Sequence, residues 1–267
     1  MSLIKCPDCG EMISNRAEIC IHCGCPIAKS KETSVGPFKF DLNEDGESYS
    51  VSQGTHVNSA IMLSGTYAAD KKVTFIAENG FCKCNNITTL LINNIPSIGK
   101  CAFEGCENLK SIVLRDVTFI GERAFANCES LESVIIISDK RTTIEIGAFS
   151  HCSNLKEVFL PDGLCWIDSG VFEFCRNLEK LVVPTNINFI GDHAFFCCEN
   201  LTNINIPKSV KFLYRSAFGQ CEKLNLIRYE GSKEEWNSIK KYEKWDSYTS
   251  DYIICCSDGK IKKKDNG

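Results

Sequence analysis

The chain has 267 residues and a formal net charge of −4, so its overall charge offers no electrostatic footprint for nucleic acid. Its charged fraction of 24% and hydrophobic fraction of 43% are those of an ordinary folded protein. No stretch is long and apolar enough to span a bilayer, and the N-terminus lacks the charged-then-apolar order of a secretory signal. We therefore expect a cytoplasmic protein.

The 18 cysteines allow two opposite interpretations. A secreted chain uses cysteines as disulfides, whereas a cytosolic chain uses them as metal ligands and as small buried apolar residues. The positions of the cysteines along the chain favour the second interpretation.

Residues 1–28 contain two matched cysteine pairs with metal-ligand spacing. Cys6 and Cys9 are separated by two residues, as are Cys20 and Cys23, and a glycine follows each pair. Each such turn offers two thiolates, and four thiolates complete the tetrahedral shell that a structural zinc ion prefers. The segment resembles short N-terminal zinc ribbons of bacterial proteins, which implies a structural Zn²⁺ with no open coordination position. Redox pairs or a disulfide staple are the alternative reading of these cysteines.

Residues 29–36 are polar and charged and indicate a flexible linker. In residues 37–74, alternating apolar residues flank Asp45-Gly46, which predicts a β-hairpin. We expect this hairpin and a degenerate repeat after it to cover the first turn of the region that follows.

Residues 75–229 repeat one pattern seven times. An aliphatic residue precedes a pair formed by a small residue and Phe, a cysteine follows three residues later, and aliphatic residues continue at constant offsets. The cysteines lie 22, 22, 24, 23, 23 and 23 residues apart, at Cys84, Cys106, Cys128, Cys152, Cys175, Cys198 and Cys221. So steady a period predicts a solenoid in which each repeat packs only against its neighbours.

The end of each repeat predicts its secondary structure. Aliphatic residues such as Ile204 and Ile206 alternate there with period two, which indicates one short strand per repeat, stacked in parallel. The cysteines of the repeats then point into the core, where we expect them to be inert packing residues.

The repeated unit I-G-x-x-A-F-x-x-C-x-x-L-x-x-I-x-I-P resembles the bacterial surface-antigen (BspA-like) class of leucine-rich repeat. The resemblance covers residues 75–229. It implies a β-rich leucine-rich-repeat solenoid of about seven repeats, acting through binding rather than catalysis. Members that work at the cell surface carry export signals, and the absence of one here leaves surface localisation as the alternative to the cytoplasm.

One position of the predicted strand points away from the core in every repeat. Apolar residues occupy it in five consecutive repeats, at Leu91, Val113, Ile135, Phe159 and Val182. A continuous apolar column on an outward face is a candidate partner-binding surface. The alternative explanation is strand propensity, because β-branched residues favour sheets wherever they point.

Residues 230–267 read as a C-terminal cap. Ser232 and Glu235 form a capping-box pattern at a predicted helix start, and a strand is expected around residues 252–256. A basic tail of lysines follows, which is typical of a solvated chain end.

These patterns favour a non-catalytic scaffold with an unidentified protein partner. No nucleophile–base pair, phosphate-binding loop or clustered carboxylate motif is present, so we expect no enzyme and no small-molecule substrate. Adhesion at the cell surface is the alternative. Nucleic-acid binding through the ribbon is a lower alternative, since few basic residues flank the cysteine pairs.

Overall fold

The computed structural model describes residues 3–5, 12–14, 38–54, 57–67 and 71–263. All four predicted zinc ligands and the predicted linker lie outside these residues. Of the first 28 residues, the structure describes two short strands that pair antiparallel, with Ile4 opposite Ile13.

The elements, in chain order, are β1 (Leu3–Lys5), β2 (Met12–Ser14), β3 (Phe38–Leu42), β4 (Ser48–Gln53), β5 (Ala60–Ser64), β6 (Thr66–Tyr67), β7 (Lys71–Ile76), β8 (Thr89–Asn93), β9 (Ser97–Ile98), β10 (Ser111–Arg115), β11 (Phe119–Ile120), β12 (Ser133–Ile137), β13 (Thr143–Ile144), β14 (Glu157–Phe159), β15 (Lys180–Val182), β16 (Phe189–Ile190), β17 (Asn203–Ile206), β18 (Phe212–Leu213), β19 (Leu226–Tyr229), α1 (Lys233–Ser238), β20 (Lys240–Lys241), β21 (Ile253–Cys256) and β22 (Gly259–Lys262).

The predicted solenoid of stacked parallel strands is confirmed. The predicted strand of each repeat joins a sheet in the order β15-β14-β12-β10-β8-β5, and a second sheet continues as β17-β19-β21-β22. Neighbouring strands pair without a shift in register. For example, Leu90, Ile112 and Val134 lie side by side on three successive strands. Their side chains alternate between buried and outward, which is the period-two pattern of a strand with one face on the core.

Most turns also contribute a second, two-residue strand that the sequence pattern did not predict. These short strands continue the sheet of the longer strands β7, β4 and β3, in the order β13-β11-β9-β7-β4-β3, and form the smaller sheet β16-β18-β20. They contain the aliphatic residue that opens the motif, for example Ile98 and Ile120, whose side chains are buried, while Ile167 makes only an isolated bridge to Ile190. The core therefore lies between two layers of parallel strands.

One column of phenylalanine rings fills the middle of this core. Successive rings stack with centroids 5.0 to 5.8 Å apart and nearly parallel planes. Burying a side chain of this size contributes about 1.5–3 kcal/mol. All seven rings are fully buried: Phe81, Phe103, Phe125, Phe149, Phe172, Phe195 and Phe218.

The stack extends beyond the seven repeats at both ends. At the N-terminal end, β5 pairs in parallel with β8, and at the C-terminal end β21 pairs in parallel with β19. The antiparallel hairpin of β3 and β4 lies beside β7. Helix α1 starts at a capping box formed by Ser232 and Glu235, and Trp236 of the helix is buried against Tyr229.

No helix within the described ranges combines the length and the apolar character that crossing a membrane requires.

Candidate partner-binding surface

The five residues of the predicted apolar column lie at the same position of five successive strands. We call them the outer stripe. Strand pairing sets each residue directly beside the next, in the order Leu91, Val113, Ile135, Phe159 and Val182. Phe159 is 49% exposed and Val182 is 62% exposed, while the first three are half-buried. The outer stripe is therefore one continuous apolar column on the outward face of the sheet.

The structure extends this apolar column at its N-terminal end and shows polar residues beyond its C-terminal end. Met62 of β5 lies beside Leu91 and adds another half-buried apolar side chain at the N-terminal end. Beyond the outer stripe, the equivalent outward positions belong to Asn205 and Arg228, which pair with each other. Met62 was missed from the sequence because its turn lacks the Phe and Cys that identify the other repeats.

A charged row borders the outer stripe on one side. Lys156 donates a hydrogen bond of 2.9 Å to Glu132, and this hydrogen bond lowers the pKa of Glu132. Glu157 and Lys180 pair in register on the next two strands. The charges alternate in sign along the row, so the border is polar without a strong net charge. An apolar centre with a polar rim is the usual anatomy of a protein interface.

The sheet is interrupted at the C-terminal end of the outer stripe. Strand β15 pairs with β14 on one side, and β17 pairs with β19 on its far side, but β15 and β17 do not pair. A depression of about 270 Å³ lies there, between Phe159 and Val182 on one side and Asn205 and Arg228 on the other. Nothing in the sequence pattern marks this site, because the repeats on both sides keep their spacing.

The cysteine column lies inside the core and faces backbone carbonyls. From Cys106 onward, each thiol donates a hydrogen bond to the carbonyl of the Phe one turn earlier, at Sγ–O distances of 3.1 to 3.3 Å. Burial raises the pKa of Cys152 and of Cys221 to about 12. Since the reactive form of cysteine is the thiolate, burial disfavours that form at Cys152 and Cys221.

Two histidines lie on the surface of the described turns, in contacts of their own. His151 stacks on Phe174 with ring centroids 4.6 Å apart, and His193 lies 3.4 Å from a carboxylate oxygen of Glu173. Neither of these contacts pairs a histidine with a Ser or Cys nucleophile, as covalent catalysis would require. Among the residues that the structure describes, no group of three or more His, Cys, Asp or Glu side chains could hold a metal ion.

Comparison with known proteins agrees with this architecture. The chain is similar to a leucine-rich repeat protein of T. pallidum at 24% identity, covering 74% of this chain and 81% of that one, with a TM-score of 0.53. A leucine-rich repeat protein of Bacteroides ovatus has 21% identity, coverage of 84% and 71%, and a TM-score of 0.51. A leucine rich cell surface protein of Faecalibacterium prausnitzii has 18% identity, coverage of 80% and 99%, and a TM-score of 0.41.

These structural similarities concern the fold alone. Comparison with curated protein sequences finds no significant match. A family model described as "BspA type Leucine rich repeat region (6 copies)" matches residues 66–141 and 118–242, which is more than half of the chain. The chain therefore belongs to the BspA-type leucine-rich repeat family.

Proposed function

We propose that this chain is a non-catalytic scaffold that binds a protein partner through the outer stripe. The observation that carries the proposal is the exposure of Phe159, at 49%, within a continuous apolar column. Leucine-rich-repeat solenoids are typically scaffolds without enzymatic activity, and the family assignment supports the same reading.

Strand propensity alone does not account for the outer stripe. Val113 and Ile135 are β-branched, and such residues occur in strands whichever way they point. Leu91 is neither β-branched nor aromatic, and Phe159, although phenylalanine also favours strands, leaves a large apolar area in water when half-exposed. A partner that covers these side chains removes that area from water, which favours binding.

The test is the substitution Phe159→Asp. The side chain points out of the core, so we expect the solenoid to keep its circular dichroism spectrum and unfolding midpoint. Capture of a protein partner from a lysate, identified by mass spectrometry, is expected to be lost because a carboxylate would be buried against apolar groups.

The matched control is Ile146→Asp. Ile146 is 53% exposed but lies away from the outer stripe, in the turn after β13. This variant is expected to capture the same partner as the unmodified protein. Unchanged capture by Phe159→Asp would contradict the outer stripe as the binding site.

Adhesion at the cell surface is the second candidate, and membership of the BspA-type family favours it. In this case the same stripe binds a protein outside the cell. Labelling of intact cells with a membrane-impermeant amine reagent, followed by fractionation, separates the two localisations. Labelled protein would support adhesion, and protein found only in the cytosolic fraction would support an intracellular scaffold.

A structural zinc ion held by Cys6, Cys9, Cys20 and Cys23 is part of the proposal. Its support is the spacing of the two cysteine pairs and their glycines. A segment this short cannot build a core of its own, so the metal would supply its folding free energy.

A further inference from the structure

The break in the long-strand sheet coincides with a change in surface chemistry. No backbone hydrogen bond joins β15 to β17, although both belong to successive turns of the solenoid. Elsewhere in the repeats, the long strands of successive turns pair with each other. The edges of β15 and β17 that face each other are therefore not joined by strand pairing, and residues of both strands line the depression.

The walls of the depression differ. Phe159 and Val182, the last two residues of the outer stripe, form the apolar side together with the buried Leu181. The opposite side consists of the amides of Asn203 and Asn205 and the guanidinium of Arg228. Glu179 and Lys180 lie at the rim with opposite charges, so they add little net charge.

Arg228 has spare hydrogen-bonding capacity. Its Nη1 donates to Oδ1 of Asn203 at 3.3 Å, and it forms no ion pair with any carboxylate of the described residues. A guanidinium carries five N–H donors in a planar fork that matches a carboxylate. An exposed, unpaired guanidinium beside an apolar wall suits a ligand that presents an apolar group and a carboxylate together.

We infer that the depression receives an apolar side chain of an extended peptide segment and that Arg228 binds a carboxylate one to three residues further along that segment. This inference rests on the proposed function, because the peptide is taken to be part of the protein partner. It identifies the class of partner: a chain with apolar residues followed by Asp, Glu or a C-terminal carboxylate.

The dimensions agree with an extended peptide. Parallel strands repeat at about 4.8 Å, so the outer stripe, which crosses five strands, is about 19 Å long. An extended chain rises about 3.3 Å per residue, so about six residues cover the outer stripe. The carboxylate then falls next to Asn205 and Arg228, where the column turns polar.

The experiment is a selection from a displayed library of random peptides on the full-length protein, with Arg228→Gln and Phe159→Asp selected in parallel. We expect the unmodified protein to enrich apolar residues followed by an acidic residue. Arg228→Gln is expected to keep the apolar preference and lose the acidic one. Arg115→Gln is the matched control, since Arg115 is exposed on the sheet that carries the outer stripe but lies away from the depression, at the end of β10.

A synthetic peptide of the enriched sequence then measures the effect by fluorescence anisotropy. We expect its Kd to rise about tenfold for Arg228→Gln, and to stay within about twofold for Arg115→Gln. Replacing the acidic residue of the peptide by its amide should remove the difference between the unmodified protein and Arg228→Gln.

The outcomes separate this inference from the proposed function. The inference would be overturned if the enriched peptides require Phe159 but carry no acidic residue, or if they bind Arg228→Gln as well as the unmodified protein. Either result would leave the outer stripe as a binding surface. If Phe159→Asp enriches the same peptides as the unmodified protein, the result would count against the outer stripe itself as a binding surface. Failure of the folded protein to enrich any peptide would overturn the inference, while capture of the intact partner remains the test of the scaffold.

Discussion

The Sγ atom of Cys152 donates a hydrogen bond of 3.2 Å to the backbone carbonyl of Phe125, one turn earlier in the solenoid. At the last turn a hydroxyl makes the same contact: Oγ1 of Thr249 donates to the carbonyl of Phe218 at 2.7 Å. The cysteine column thus supplies a small hydrogen-bond donor to a buried backbone carbonyl. A thiol and a hydroxyl both meet that requirement.

We expect Cys152→Ala to lower the free energy of unfolding by about 2 kcal/mol, because the carbonyl of Phe125 would lose the donor that the structure shows for it. Cys152→Ser keeps a hydrogen-bond donor at this position and should lower the free energy of unfolding by less. Urea titrations followed by circular dichroism measure both variants. Cys256→Ala, in a half-buried position outside the column, is the control. Equal decreases in the free energy of unfolding for Cys152→Ala and Cys152→Ser would show that the volume of the side chain matters and its hydrogen bond does not.

Stability should fall in alkali because of the buried thiols. Burial raises the pKa of Cys152 from the ordinary value of 9.0 to about 12 in the folded protein. Between these values the unfolded chain loses the proton and the folded chain keeps it. This contribution to stability is therefore complete below pH 9 and declines as the pH rises toward 12, by about 1.4 kcal/mol per pH unit for one thiol.

Urea midpoints measured from pH 8 to pH 11 test this expectation. Cys152→Ser has no thiol to titrate, so its midpoint should decline less steeply than that of the unmodified protein. In the same pH range, iodoacetamide should modify the half-buried Cys255 before Cys152. Early modification of Cys152 in the folded protein would contradict the assignment of the column to inert packing.

Gly121 lies too close to the preceding turn to accept a side chain. A methyl group there would come within 2.8 Å of the backbone N of Lys100 and 2.9 Å of the carbonyl C of Gly99. Gly121→Ala should therefore lower the free energy of unfolding by about 1–3 kcal/mol, since the neighbouring backbone would have to move. Asp168 occupies the same position of its own repeat, so Asp168→Ala is the control and should cost less. Similar decreases in the free energy of unfolding for Gly121→Ala and Asp168→Ala, measured by urea titration, would argue against the steric explanation.

Metal analysis tests the two cysteine pairs. Purified protein should contain about one zinc ion per chain, and replacing Cys6 and Cys20 by Ser should abolish it. The solenoid should keep its unfolding midpoint, because its core is built from other residues. Replacing Cys255 and Cys256 by Ser should leave the zinc content unchanged. Metal-free protein with oxidised cysteine pairs would contradict both the zinc ion and a reducing compartment.

The sequence by itself determined the repeat, its core columns and its outward column. Each turn packs against an almost identical neighbour, so residues with equal offsets must share an environment. That is why the positions of Phe149 and Phe159, one fully buried and one half-exposed, follow from counting alone. The capping box of Ser232 and Glu235 is equally local and was predicted correctly.

Only the tertiary structure decided the features that depend on contacts between turns of the solenoid. The partner of Cys152 is a carbonyl 27 residues earlier, and spacing cannot distinguish that thiol from a metal ligand. Met62 joins the outward column only through strand pairing. The break between Val182 and Asn205 follows from main-chain hydrogen bonds that do not form, and a periodic sequence does not record them.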